Sequence, residues 1–554
     1  MARRYLIFWL LVLFFFFAII RLFYFQIIRF QKFSDLAEGQ HNQKVEIQPN
    51  RGMIFDRYME PLAINLEALS LYCNCLLLEN KEETAKTLSE MLEIDRDVLL
   101  GKFNSNKSFV WIKRKLDPVT AEKIRKRAYP GIYFLSESKR KYPNDNMACH
   151  VIGFVDIDNK GLEGIELKFN DQLKGKTGSA YLVRDARKKT VLLNEEESVP
   201  PQNGHNIVLT IDSVVQYIVE DELKKMTERY GPSSASAIVM DPFTGRILAM
   251  ANYPDYDLNQ FQKASQGQIK NIAVSNVYEP GSVFKVVTAS AALNEGIVSL
   301  DDRIYCERGT YKSKGRVLHD YHKYGDLSFR EVIAKSSNIG TVKIAQKLGA
   351  EKLYKYIEAF GFGQKTGIEL PGEIGGICRH FKNWDRSDIT TIPIGQGIAV
   401  TPLQLLCAIS VIANGGYLIC PYLVDHLLAS EGGIYKEFEP VTRRRILKEE
   451  TCSKMKDALK YVVEIGTGRH AKSELYDLCG KTGTAQMVDP DGGYYKNKYD
   501  ATFMGFAPAE DPRISIVITA ADPGPVYFGG RVAGPAFKNM AERIIQYLEM
   551  NSES

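Results

Sequence analysis

No C-x-x-C pair occurs anywhere in this chain of 554 residues, and its nine cysteines, an odd number, are scattered from Cys73 to Cys479. That spacing offers none of the usual zinc patterns. In a chain of this size it also argues against an exported disulfide framework, so most of the cysteines are expected as small buried hydrophobes. His319 and His322, in HDYH, lack a third ligand and do not by themselves make a metal site. A dominant charge is missing too. Against 71 Lys and Arg stand 67 Asp and Glu, and a formal net charge of +4 gives no electrostatic footprint for nucleic acid. There is no internal repeat, no low-complexity tract and no second long apolar run.

The first apolar run is therefore the more telling. Tyr5 to Ile20 carries no charge, and the apolar character resumes after Arg21 as LFYFQII. With Arg21 snorkelling, 5–28 reads as one membrane-spanning helix of the roughly 20 residues or more that a bilayer core requires. Arg3 and Arg4 favour a cytoplasmic tail at 1–4. No small-residue cleavage site follows the run, so an uncleaved anchor is expected over a signal peptide. A basic, mixed region follows to residue 205, including KRKLDPVTAEKIRKR (113–127), read as a solvated amphipathic helix. The charge run, Pro-Pro and Gly of EEESVPPQNGHN (195–206) mark a domain boundary. From 206 to 554 a strand and an amphipathic helix open the segment, and a hairpin spans 236–252. A largely helical middle covers 280–415, and strands return after 476. Strands at both ends of a segment predict one α+β domain whose sheet gathers both ends.

Inside that domain, YEPGSVFKVVTAS (278–290) places a lysine in an apolar stretch. Pro280-Gly281 breaks the chain, so a helix is expected to begin near Ser282. Ser282 and Lys285, three apart, then share a face. An ammonium in apolar surroundings must be paired or must lose its proton, and a desolvated lysine becomes a base. The pair reads either as a serine nucleophile with its proton acceptor or as an N-cap serine beside a snorkelling lysine. S-x-x-K also occurs at 136, 138 and 453, in polar surroundings. K-T-G occurs three times, and only Lys481-Thr482-Gly483 runs on as a strand. Strand alternation puts Lys481 and Gly483 on one face and Thr482 and Thr484 on the other, so a bulge or twist is expected if all are to meet one ligand. S-x-N occurs once, at Ser336-Ser337-Asn338.

The ordered set S-x-x-K, S-x-N, K-T-G resembles the signature of penicillin-binding proteins and serine β-lactamases. The likeness extends through RGMIFDR (51–57), GLEGIELKFNDQLKG (161–175), FGFGQKTGIELPGE (360–373), IGQGIAVTPLQL (394–405) and GFAPAEDPRISIVI (505–518). The chain resembles class B, monofunctional penicillin-binding proteins, which are peptidoglycan D,D-transpeptidases. Tyr58-Met59 replaces the Asn-Gly usual in that family. Glu279 and the segment HDYHKYGDLSFREVIAKSSNIG (319–340) resemble the septal, cell-division branch.

The resemblance implies a transpeptidase domain at 206–554 with the penicillin-binding, β-lactamase-like fold. It also implies a non-catalytic pedestal of the dimerisation type at 29–205 and an anchor in the cytoplasmic membrane, with the catalytic part outside the cytoplasm. It implies Ser282 as nucleophile, Lys285 as base, Ser336 as proton relay and Asn338 holding Lys285 and a substrate amide. Lys481, Thr482, Gly483 and Thr484 would receive the substrate, with the backbone N–H groups of Ser282 and Thr484 as oxyanion hole. Stem peptides and β-lactams would be the ligands, a polytopic glycosyltransferase and other division proteins the partners, and no metal or organic cofactor is called for. The alternatives are an elongation-type transpeptidase, a D,D-carboxypeptidase or β-lactamase, and a non-catalytic β-lactam sensor.

Overall fold

The computed structural model describes residues 2–33, 42–105, 107–184 and 190–552. They fall into two compact units, one of 1–52 with 174–204 and one of 53–173 with 205–554; Ser554, the expected end of the catalytic domain, lies outside the described residues.

In the first unit the helix Ala2–Phe23 runs directly into a π-helical turn, Tyr24–Ile28. The combined 27 residues are long and apolar enough to cross a membrane. Arg21 does not interrupt the helix: its guanidinium lies over the Phe25 ring, 5.9 Å from the centroid. The same unit holds an antiparallel sheet of Asn42–Ile47, Gly178–Arg184 and Thr190–Val199, with 178–184 in the middle. The acidic run at 195–197 therefore lies near the end of a strand, and the unit closes at Gly204.

In the second unit, Ile54–Phe55 pairs in parallel with Asn206–Leu209, and Pro61–Cys73 pairs with Val110–Lys113 and Ile132–Lys141. The helix expected at 113–127 forms only from Pro118 to Arg127. Proline fixes the first helical position, and Asp117 caps it by accepting from the Thr120 N–H at 2.8 Å. Residues 110–113 are strand instead, because Ile112 is needed in the apolar cluster around Leu71 and Phe103.

The core of this unit is a five-stranded antiparallel sheet. Its strands are β1 (Ser234–Met240), β2 (Ile247–Tyr253), β3 (Cys479–Val488), β4 (Tyr494–Ala507) and β5 (Ile514–Ala521), in the order β2-β1-β5-β4-β3. Both ends of the segment thus meet in one sheet. Apolar side chains leave both faces. Ala237, Val239, Phe503 and Ile516 pack against the helices Ser213–Tyr230 and Gly534–Ser552, while Ile238, Met504 and Val517 pack against the helical middle. Burial on both faces is why these strands read as continuous apolar runs rather than as an alternation. β3 ends the sheet, so among the described residues one of its edges has no strand beside it.

Candidate active site

The turn that bears Ser282 differs slightly from expectation. Gly281–Phe284 is a single 3-10 turn, and the α-helix starts at Lys285 and runs to Asn294. Gly281 has φ +55, and a Cβ there would lie 3.1 Å from the Ala485 Cβ on β3, so a side chain would be both strained and crowded. The Gly281 N–H donates to the Gly395 carbonyl at 3.0 Å. Ser282 is half-buried, and its hydroxyl makes no hydrogen bond among the described residues. Its N–H lies in the first turn, ahead of the intrahelical bonds. Gly483 of β3 comes equally close to this turn: a Cβ on it would meet the Pro280 carbonyl oxygen at 2.9 Å and Val283 Cγ1 at 3.0 Å.

Lys285 is 2 % exposed and Lys481 0 % exposed, and the two meet at one residue, Ser336. Lys285 Nζ donates to the Ser336 carbonyl at 2.6 Å, to Ser336 Oγ at 3.2 Å and to Asn338 Oδ1 at 2.7 Å. Lys481 Nζ donates to the same Ser336 Oγ at 3.0 Å and to the Thr482 carbonyl at 3.0 Å. Ser336 can offer both its oxygens to Lys285 because it sits in the left-handed region, φ 57, at the turn between the helices Phe329–Ala334 and Asn338–Leu348. A non-glycine residue held there costs about 1–3 kcal/mol, and such positions cluster at functional sites.

Neither lysine has a carboxylate within hydrogen-bond distance among the described residues. Burial pushes the Lys285 ammonium down to about 7, opposed by the charge of Asp320. Burial and the neighbouring Lys285 hold Lys481 well below the ordinary lysine range. The site thus holds an amine that is partly neutral at physiological pH, beside a serine of a turn that β3 overlies. Such an arrangement suits covalent acyl transfer.

The sequence profile of the penicillin binding protein transpeptidase domain matches residues 235–542, and that of the penicillin-binding protein dimerisation domain matches 46–209. The chain is a class B penicillin-binding protein. It is 36% identical over 519 residues to stage V sporulation protein D of Bacillus subtilis, covering 92% of this chain and 80% of that one. It is 35% identical over 496 residues to the probable peptidoglycan D,D-transpeptidase PenA of Neisseria gonorrhoeae, covering 88% and 83%. To the peptidoglycan D,D-transpeptidase FtsI of Escherichia coli K12 it is 30% identical over 518 residues, covering 92% and 85%. Among solved structures, a peptidoglycan synthetase from Bifidobacterium adolescentis superposes with a TM-score of 0.74 at 26% identity, covering 92% of this chain and 97% of that one. Penicillin binding protein 3 from Mycobacterium tuberculosis complexed with aztreonam superposes with a TM-score of 0.71 at 28% identity, covering 91% and 97%.

In this penicillin-binding protein, Ser336, Asn338, Lys285 and Lys481 form one hydrogen-bonded cluster, while Thr482 and Thr484 point the other way. Of the bulge or twist expected, no bulge falls within the motif: β3 pairs residue by residue with β4 from Cys479 to Gln486, and the register shifts between Gln486 and Val488. Thr482 Oγ1 lies 2.7 Å from Thr467 Oγ1, and Thr484 Oγ1 accepts the Gly529 N–H at 3.1 Å. Cys479 is a buried spacer, its thiol 3.4 Å from the Lys456 carbonyl. All nine cysteines are free, and seven are buried. Among the described residues no group of three or more His, Cys, Asp and Glu could hold a metal ion.

The contacts of two residues, Glu279 and Asp320, could not be read from the sequence. Glu279 Oε1 accepts the Gly397 N–H at 2.8 Å and Oε2 accepts the Tyr494 hydroxyl at 2.9 Å, tying the turn of Ser282 to the IGQG stretch and to the start of β4. Asp320 binds the S-x-N segment. The motif HDYH flagged the right loop, but its histidines drew attention away from the carboxylate between them.

Proposed function

We propose that this penicillin-binding protein is a peptidoglycan D,D-transpeptidase that cross-links stem peptides through an acyl-enzyme on Ser282. The observation that carries the reading is Lys285, buried without a carboxylate in reach and hydrogen-bonded to Ser336 and Asn338, in a helix that follows directly on the turn bearing Ser282.

Ser282 Oγ attacks the carbonyl carbon between the two terminal D-alanines of a donor peptide, and its proton passes to neutral Lys285 Nζ. The oxyanion that forms is met by the N–H groups of Ser282 and Thr484; removal of one such donor costs about 3–4 kcal/mol in comparable sites. The amide bond then breaks. The departing D-alanine amine takes a proton through Ser336 Oγ, which stands between the two lysine nitrogens. An amine of a second stem peptide attacks the ester, gives up its proton along the same route, and Ser282 leaves as the hydroxyl. Lys481 is the positive group for the terminal carboxylate, whose arrival would hold it protonated. Thr482, Gly483 and Thr484 receive the donor peptide along the open edge of β3, and Asn338 holds its amide. A β-lactam enters the first half of this sequence and stays as the ester.

Residues 29–205 act as pedestal and 206–554 as transpeptidase domain. The 5–28 anchor sits in the cytoplasmic membrane, with the N-terminus inside and the site outside. The likeness of Glu279 and 319–340 to the septal branch supports work at the division site, beside a polytopic glycosyltransferase and other division proteins.

The purified full chain, given a D-Ala-D-Ala donor peptide and a labelled amine acceptor, is expected to release D-alanine and form the coupled product. Release without coupling would make it a carboxypeptidase, and no release would refute the reading. Depletion in cells should give filaments. Spheres would point to elongation, and unaltered growth to a specialised role such as the one named in the sporulation relative.

A further inference from the structure

The HDYH loop, which the transpeptidase reading leaves unused, touches both walls of the site. The Asp320 carboxylate accepts from Ser337 Oγ at 2.6 Å and from the backbone N–H groups of Asn338 at 2.6 Å and Ile339 at 3.1 Å. The first two of these residues belong to S-x-N, and all three lie at the start of the Asn338–Leu348 helix. One residue earlier, the His319 carbonyl accepts from Asn338 Nδ2 at 2.9 Å. This bond decides the carboxamide's orientation: with Nδ2 held by His319, it is Oδ1 that faces Lys285, at 2.7 Å. One residue later, Tyr321 sits edge-on to Phe528, with ring centroids 5.6 Å apart, and Phe528 precedes the Gly529 whose N–H holds Thr484 Oγ1.

We propose that His319-Asp320-Tyr321 is a strap that sets S-x-N against Lys285, and that Asp320 is its positioning residue. The proposal rests on the transpeptidase reading and deepens it. Asp320 touches neither substrate nor Ser282 chemistry. It acts by fixing the backbone of Asn338, and therefore where Oδ1 and the two Ser336 oxygens meet the amine. Ser336 in the left-handed region is a conformation the chain alone would not keep, and the bonds to the residues that follow it hold that turn. Asp320 has a second effect through space, because its negative charge opposes the burial that strips Lys285 of its proton. The charged groups facing Lys285 are Lys481 from β3 and Asp320 from the strap. The residues facing it from the neighbouring helix junction, Ser336 and Asn338, are uncharged. Behind Ser337 lies the Cys306 thiol, 3.4 Å from its hydroxyl, which burial pushes up and keeps neutral.

The test is the second-order rate of acylation of the full chain in detergent by a fluorescent penicillin, followed across pH in wild type, Asp320→Asn and Asp320→Glu. The final amplitude counts competent sites, so the rate is read per folded molecule. Asp320→Asn is expected to be ten- to hundred-fold slower, roughly the penalty of a small misplacement. Its acid limb should move to lower pH, because Lys285 loses the charge that favours its ammonium. Asp320→Glu is expected to be slower with the limb unmoved. A wild-type rate in either variant, or a slow Asp320→Asn with the limb in place, would overturn the proposal. If Asp320→Asn gives no competent protein, the Asp320→Glu rate decides. A wild type that is not acylated at all would be a failure of the transpeptidase reading instead.

Discussion

Lys285 and Lys481 reach the same hydroxyl, Ser336 Oγ, at 3.2 and 3.0 Å, from a helix and a strand almost two hundred residues apart in sequence. Two buried amines on one hydroxyl cannot both carry a proton at low cost: burial lowers both, and the neighbouring Lys285 lowers Lys481 further. Burial holds Lys285 Nζ close to neutrality, in the helix that follows directly on the turn of Ser282.

If Lys285 is the base, removing its nitrogen removes the reaction and not the fold. Lys285→Met is expected to lower the acylation rate about a thousand-fold or more, within the usual range for a general base. The near-UV spectrum should be kept. An acylation rate within tenfold of wild type would show that another group takes the Ser282 proton.

The pH dependence of stability carries a definite sign. Lys285 binds its proton with a pKa of about 7 when folded against 10.5 as a free side chain, so between those values the unfolded chain holds more protons. Stability from this group therefore rises with pH across that window, and the penalty is full below about pH 7. Lys481 acts in the same direction. Thermal unfolding of the full chain at pH 6, 8 and 10 (values chosen about that window) should show a slope between pH 8 and 10 that is smaller in Lys285→Met.

The contact between β3 and the turn of Ser282 leaves no room for a methyl group. Gly483→Ala would press a carbon onto the Pro280 carbonyl oxygen and Val283, atoms on either side of Ser282. The expected loss is about 1–3 kcal/mol of stability, the range for overpacking. Acylation should slow disproportionately, by roughly a hundredfold, because the turn that aims Ser282 must shift. Unfolding and acylation measured on one preparation would separate the two effects.

Glu279 links three segments through one carboxylate. Glu279→Gln keeps the size and one acceptor oxygen but loses the charge, and is expected to cost about 1–2 kcal/mol, the value of hydrogen bonds made to a charged group. Tyr494→Phe should cost less, because it removes one bond and leaves the charge that holds the Gly397 N–H. Equal losses in the two variants would mean that the charge on Glu279 adds nothing to the Gly397 bond.

Much of this was legible before any coordinates, for physical reasons that differ by element. The sheet strands announced themselves because both faces are buried, which makes runs such as SAIVM and ISIVI continuously apolar. Lys285 stood out because an ammonium has no ordinary place among VF and VVTASAAL. Other features left no trace. A left-handed φ at Ser336 cannot be read from a serine, since residue type predicts that region only for glycine and, weakly, for asparagine. Asp320 lies some eighteen residues before Asn338, and only the folded chain shows that the two meet. Periodicity did separate Thr482 and Thr484 from Lys481, and of the bulge or twist inferred from it no bulge falls between Cys479 and Gln486.

The most direct test of the account is the site of penicillin attachment. After incubation of the full chain with a fluorescent penicillin and proteolysis, the adduct is expected on the one peptide containing Ser282, at one equivalent, and absent from Ser282→Ala. An adduct on another residue, or labelling that survives the substitution, would contradict it.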